Sequence, residues 1–430
     1  MNIVMMTNTY KPFVGGIENS IEMFTEEYRK KGHNVLVVAP EYEGEKGEDG
    51  IIRIPAIRRF NGTDFSVPLP IPGILNKRLK RFRPDIIHSH HPFLLGDTAQ
   101  RASAFFRIPI VFTYHTVFEE YTHYVPFKSK ALIKFIKQLT AGYANTCDRV
   151  VAPSQDIKAQ LRQDGVKSEI DIIPTGIYPE KFKKGSKATF REKLSLDKKT
   201  KLLGFVSRIA AEKNVEFLTD SVISYIKRFP DTHFVVAGKG PKQERIRAMF
   251  KESGLENKYH ELGLLQGEDL IDAYQSIDLF VYASKTETQG LVIAEAMAAR
   301  KPVIALSARA VKNMIFNGYN GKLVPEEDPE VFADAIEWFF SLSTAERERL
   351  AVNAEETAEK YSMENCSDQM LDLYNNLTST KYFSPSESDI EFVKKNRQRL
   401  KKELDMMSNY INATGAILPK YKKEGKGENA

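Results

Sequence analysis

Short, mostly apolar runs recur along this chain of 430 residues, with helical segments between them. In the first half they fall at 2–6, 34–39, 86–88, 110–113, 149–152 and 170–173. In the second half they fall at 202–206, 232–237, 259–262, 279–283, 302–305 and 321–324. Runs that are predominantly apolar, without strict alternation, are expected of strands buried on both faces. Between them, 18–31 puts Ile21, Phe24 and Tyr28 on one helical face, and 215–229 and 241–252 read as further helices. Strand–helix–strand repetition limits the chain to α/β architecture with parallel, doubly wound sheets, whose ligands sit at the C-terminal ends of strands. The Pro- and Gly-containing stretch from Thr175 to Phe182 divides the two cycles. The expected organisation is two facing Rossmann-like domains, 1–176 and 177–356, with a site in the cleft between them. A helix over 357–380 crosses back to the first domain, and 381–430 forms a basic, polar extension.

Composition narrows the function. At 42% hydrophobic and 28% charged residues the chain can build full cores. No run approaches 18 apolar residues, and 1–6 reads as a strand and not as a signal peptide, so a cytoplasmic protein is expected. Two cysteines, Cys147 and Cys366, offer neither a disulfide framework nor metal-ligand spacing. A net charge of +5 does not imply nucleic acid. The cations are clustered, however: five lie between Lys77 and Arg83, including Arg78, and Lys128, Lys130, Lys134 and Lys137 follow one another with no acid between. Leu132, Phe135, Ile136 and Leu139 would share the opposite helical face. This segment fits an ordinary packed helix with a solvated basic face; it also fits docking on an anionic membrane surface.

Polar and glycine residues gather where strands end. Gly15 and Gly16 precede a helix in a loop that either simply turns or lets backbone approach a ligand. Arg208 and Lys213 follow a strand and could converge on phosphate. Gly238 and Leu264 close two further strands. His115 follows the 110–113 strand; His88, His90 and His91 end its neighbour, with His88 and His90 on one face, read as hydrogen-bonding groups ahead of a metal site. The stretch Thr286 to Ala298 carries Glu287 in a loop, Gly290 and Leu291 at a helix start, and Glu295 about 7 Å further along. Two acids flanking a phosphate-friendly helix start suit a sugar nucleotide.

Together, the Gly15-Gly16 loop, His115, the segment from Ser207 to Lys213, Gly238-Lys-Gly-Pro241 and the Glu287/Glu295 spacing resemble the retaining GT-B glycosyltransferases of family 4, over 1–375. The run from His115 to Tyr124 is similar to bacterial diacylglycerol glucosyltransferases. The resemblance implies the GT-B fold and transfer of glucose from UDP-glucose to a lipid such as 1,2-diacylglycerol, with no cofactor or metal ion. Arg208 and Lys213 would hold the diphosphate with Gly16 and the amides near Gly290 and Leu291. Glu295 would hold the ribose, Glu287 the donor sugar, and His115 would lie beside the anomeric carbon. A donor of GDP-mannose or UDP-N-acetylglucosamine, an epimerase, or a non-catalytic carbohydrate binder are the alternatives. After 302–305 many relatives have paired glycines; here Leu306-Ser-Ala-Arg-Ala310 stands instead, with Arg309 where a charge could replace backbone contacts.

Overall fold

The computed structural model describes residues 1–13, 15–42, 48–57, 66–69, 74–115, 130–197 and 199–379, together with 401, 402, 405, 406, 408 and 409. The first sheet contains β1 (Asn2–Met6), β2 (Asn34–Pro40) and β3 (Ile51–Ile54). A small antiparallel pair, β4 (Ala56–Ile57) and β5 (Val67–Pro68), leads on to β6 (Ile86–Ser89), β7 (Ile110–Thr113), β8 (Arg149–Ala152) and β9 (Ile170–Ile172). The seven strands run parallel in the order β3-β2-β1-β6-β7-β8-β9. The second sheet is built from β10 (Lys201–Val206), β11 (Thr232–Ala237), β12 (Tyr259–Gly263), β13 (Leu279–Tyr282), β14 (Val303–Leu306) and β15 (Gly321–Val324), all parallel, in the order β12-β11-β10-β13-β14-β15.

The doubly wound α/β reading therefore holds, with one strand more than expected in the first sheet and the small β4–β5 pair in addition. The segment Ile51–Ile54 pairs with β2 at the sheet edge although glycine and charged residues precede it in the sequence. Strand order reverses between β1 and β6 in one sheet and between β10 and β13 in the other. Such reversals open a crevice at the C-terminal strand ends, and the loops after β1, β6, β10 and β13 that carry much of the site lie at them.

The helices start where their sequences provide caps. Ser154 accepts from the Ile157 amide, Asp328 accepts from those of Glu330 and Val331 ahead of Pro329, and Ser343 forms a capping box with Glu346. Their apolar faces cover the sheets. Ile21, Phe24 and Tyr28 pack with Ile3, Met5 and Val37, as their spacing predicts.

The helix Met363–Ser379 also belongs to that first-domain cluster, through Met363, Cys366, Met370 and Tyr374. The chain leaves and re-enters the first domain side by side: the Ile177 amide donates to the Tyr361 carbonyl at 2.8 Å, and that of Met363 to Ile177 at 2.6 Å. Among the described residues of the extension, Met406 is buried and Asn409 donates to the Leu139 carbonyl at 3.0 Å. The helix Lys130–Ala144 receives it at Gly142, where any side chain would overlap the Asn409 amide. A second link between domains runs through Asp156, which accepts from Asn313 at 2.7 Å and pairs with Lys312 at 2.9 Å. Both partners sit on or at the end of the short turn Arg309–Asn313. The loop that departs from the paired-glycine pattern thus reaches across to the first domain.

Gly176 lies where the two crossing segments touch. A Cβ there would stand 2.5 Å from the Met363 Cα, backbone that has no room to give. Gly176→Ala is expected to lower stability by about 1–3 kcal/mol, read as a lower urea midpoint at unchanged slope.

Candidate functional site

The wall contributed by the second domain is organised by Glu287. It sits in the loop after β13, and its carboxylate faces Lys213, with which it forms a short ion pair, and the Tyr282 hydroxyl, which donates at 2.6 Å. The two charged side chains are only 13% and 19% exposed, so each depends on the other for its charge. Burial by itself would raise the Glu287 pKa. The Lys213 charge and hydrogen bonds from Lys213, Tyr282 and Ser284 outweigh it and hold the carboxyl below its ordinary value. Lys213 closes the turn Ala211–Lys213, and the left-handed Asn214 (φ 53°) starts the helix Val215–Arg228. Ser284 and Thr286 both donate to the Glu212 carbonyl, at 3.2 and 3.3 Å, which knits the two loops together.

Glu295 is in the opposite condition. It lies on the second turn of Leu291–Ala298, accepts from the buried Tyr274 hydroxyl at 2.7 Å, and burial pushes its pKa up to about 7. Two carboxyls eight residues apart therefore differ in charge near neutrality: one is a committed anion, the other is poised. The helix between them begins at Gly290, whose φ of 84° favours glycine; no side chain caps its first turn, and the Ile293 N–H donates back to the Gly290 carbonyl at 2.9 Å. The preceding Gln289 is buried. Its amide makes a reciprocal pair with Thr175, accepting from the Thr175 N–H at 2.7 Å and donating to its carbonyl at 2.6 Å.

Other expected contacts are arranged differently. Arg208 is 52% exposed, with its guanidinium 3.7 Å from Glu212, whereas Lys213 is paired with Glu287. The Gly238 amide already donates to the Gly263 carbonyl at 2.7 Å, and a Cβ on Gly238 would strike the Ser207 carbonyl. That glycine shapes the loop beneath Arg208 and has no free amide for a ligand. Leu264, at the end of β12, is 67% exposed.

The first-domain wall is formed at the ends of β1, β6 and β7. Gly15, in extended conformation, precedes the helix Gly16–Lys30 and leaves room for the buried Glu18 carboxylate, 2.5 Å from where a Cβ would be. Around Gly16 there is open space. His88, His90 and His115 form a column of rings, with centroids 4.3 Å and 5.1 Å apart. This matches the expected placement of His88 and His90 on one face. His88 is held by the Tyr374 hydroxyl and by Thr113, the latter at 2.6 Å, and His91 accepts from the Asn8 amide at 3.2 Å. Burial depresses all four: His88 and His91 to about 3, His115 to about 4 and His90 well below its ordinary value, so the cluster is neutral. Among the described residues no group of three or more His, Cys, Asp or Glu side chains is placed to hold a metal ion.

The basic residues are mostly peripheral. Lys77 and Arg78 are exposed on the helix Ile74–Phe82, and Lys134 is exposed on Lys130–Ala144, which Lys130 begins. Lys137 pairs with Asp164 at 2.9 Å. Lys128 lies outside the described residues.

Sequence reasoning missed Tyr282, Tyr274 and Gln289 as parts of the site; it placed His90 in a hydrogen-bonding cluster without linking it to His115. Tyr282 sits in an apolar strand and Tyr274 on a helix, each where a hydroxyl is indistinguishable from core, and only the fold reveals what it meets. Replacing Glu295 isolates its titration. A carboxyl whose folded pKa is raised contributes stability below its unfolded value and loses it as pH rises through about 7. Relative to wild type, Glu295→Gln should therefore gain thermal stability between pH 5 and pH 8; an unchanged difference in melting temperature would refute the assignment.

Comparison with known proteins agrees with this geometry. Residues 14–181 match Glycosyltransferase Family 4, and residues 186–357 match Glycosyl transferases group 1. An alpha-monoglucosyldiacylglycerol synthase of Streptococcus pneumoniae is 31% identical over 75% of this chain and 75% of its own length. A GDP-mannose-dependent alpha-mannosyltransferase of Corynebacterium glutamicum is 29% identical over 87% of this chain and 88% of its own. In fold, the crystal structure of HepE from Anabaena in complex with UDP superposes with a TM-score of 0.70 at 20% identity, over 88% of this chain and all of that one. With both domains matched in order and two doubly wound sheets facing one cleft, the chain belongs to the family 4 glycosyltransferases of the GT-B fold.

Proposed function

We propose that the protein is a retaining hexosyltransferase that moves glucose from UDP-glucose to the free hydroxyl of a membrane lipid, 1,2-diacylglycerol, without a metal ion. The observation that carries this reading is the pair of largely buried carboxyls flanking the helix start at Gly290, Glu287 held by Lys213 and Tyr282 and Glu295 by Tyr274. Residues 1–176 would present the acceptor and membrane face, 177–356 the donor site, and 357–380 the return helix.

In this reading Glu287, anionic, accepts hydrogen bonds from donor sugar hydroxyls, and Glu295 grips the ribose diol. Lys213 and Arg208, with Gly15, the amides at Gly290 and Leu291 and the open backbone at Gly16, stabilise the diphosphate as negative charge grows on it. The acceptor oxygen bonds to the anomeric carbon as the bond from that carbon to the diphosphate breaks. The departing phosphate oxygen takes the hydroxyl proton on the same face, so configuration is retained. His115 lies beside the transferred sugar. No carboxylate acts as nucleophile, because Glu287 is already bound to Lys213 and Tyr282.

The acceptor half is supported by the relative named for glucosyldiacylglycerol synthesis and by the exposed cations Lys77, Arg78 and Lys134, with Lys130 and Lys128 beside them in sequence. Each cation near an anionic surface is worth about 1 kcal/mol. Peripheral binding at the cytoplasmic face follows; no helix among the described residues is long and apolar enough to cross a membrane. The mannosyltransferase relative supports a second reading, transfer from GDP-mannose.

Full-length protein incubated with radiolabelled UDP-glucose and anionic liposomes containing diacylglycerol should yield labelled lipid; label only in soluble products would sink the lipid acceptor. Thermal shifts with UDP-glucose against GDP-mannose separate the donors, since a ligand of the folded state raises the melting temperature. Glu287→Gln is expected to cut transfer by about 100-fold or more while the fold persists. Changing Lys130 and Lys134 to Glu should weaken liposome sedimentation and leave slow hydrolysis of soluble donor intact.

A further inference from the structure

His90 has no place in the mechanism above, yet it is the residue most confined by it. It is 2% exposed and lies between the rings of His88 and His115. Behind it, both nitrogens of His88 are engaged by hydroxyls. In front, His90 Nδ1 is 2.8 Å from His115 Nε2. The other nitrogen, His90 Nε2, is buried with no hydrogen-bond partner.

Two neutral imidazoles share one proton across the 2.8 Å contact, which allows two arrangements. If His115 Nε2–H donates to His90, then His90 must carry its own proton on Nε2, a buried N–H with no acceptor. If His90 Nδ1–H donates to His115, the buried Nε2 is a bare lone pair. An orphaned buried N–H is the rarer defect in folded proteins, and each lost partner costs about 1–3 kcal/mol. The second arrangement also leaves His115 with its proton on Nδ1, the one nitrogen it has to offer to the cleft.

We infer that His90 is a positioning residue: through its Nδ1–H it fixes the ring and the tautomer of His115, so that His115 presents an N–H donor, and not a basic nitrogen, to a hydroxyl oxygen in the cleft. That the oxygen belongs to the transferred sugar rests on the transferase reading of the site; the tautomer does not. A donor there suits a reaction in which the leaving phosphate takes the acceptor proton, because His115 is left without a lone pair to compete for it.

The test uses full-length protein labelled with 15N-histidine. Long-range 1H–15N correlations should show His115 with a protonated Nδ1 and a bare Nε2. In His90→Phe, which keeps the stacked ring and removes the donor, His115 should turn over to the Nε2–H form that free imidazole side chains prefer. In His90→Asn, whose amide N–H can reach the same point, the Nδ1–H form should return. If His115 carries its proton on Nε2 in the wild type, the inference falls, and that spectrum decides it even if a variant does not fold. Transfer should drop about 10- to 100-fold in kcat for His90→Phe, with donor KM within about twofold, and recover in His90→Asn. A changed tautomer with unchanged kcat would overturn the catalytic consequence. Failure to turn over UDP-glucose at all would count against the transferase reading and leave the tautomer measurement standing.

Discussion

Glu287 remains an anion in the cleft wall because Lys213 stands beside it, and much of the second domain is arranged to keep the two together. A carboxylate removed from water loses several kcal/mol of hydration, which a cation in contact and two or three donors can offset. Lys213 reaches it from the loop after β10 and Tyr282 from the last residue of β13, neighbouring strands on opposite sides of the sheet's reversal point. The charge pair can form only where those two strands are adjacent, so the order of the parallel sheet is a precondition of the chemistry. Reversing the wiring of either strand would separate partners that are 74 positions apart in the chain.

Differences in environment also give two identical side chains different behaviour. Glu287 has a cation; Glu295, one turn into the helix, has only the Tyr274 hydroxyl. The first is charged under all ordinary conditions. The second changes charge near neutrality, and a bound diol that donates hydrogen bonds would stabilise its ionised form. On the facing wall, burial suppresses the charge of four histidines, so that the two sides of the cleft present fixed anion and neutral imidazole to one another.

Much of this was legible in the residues alone. Continuous apolar runs identified most strands, because parallel strands covered on both faces leave no alternation to misread. The helix start at Gly290 could be read because the required backbone angle suits glycine almost exclusively, and the acids eight apart because a helix has a fixed rise. What could not be read was pairing across the fold. Arg208 and Lys213 look equivalent in sequence, yet the half-exposed Arg208 lies beside Glu212 of its own loop and the mostly buried Lys213 is bound to an acid contributed by a different loop. Gly238 suggests exposed backbone, but its amide is used by the neighbouring strand. The edge strand Ile51–Ile54 was overlooked since four residues at the margin of a sheet carry too little pattern to separate from a loop.

Thr175 joins more than two strands of chain. Its hydroxyl lies 3.3 Å from that of Ser20 on the first domain's opening helix, while its backbone is paired at both ends with the Gln289 side chain. Gln289 stands two residues from Glu287 and next to Gly290. The segment that links the domains and the loop that carries Glu287 are thus geared together by one buried amide. Any rotation of one domain against the other must turn that loop with it or strip two backbone groups of their partners, at a cost of about 1–3 kcal/mol each. Cleft opening and the aim of Glu287 are then a single mechanical coordinate.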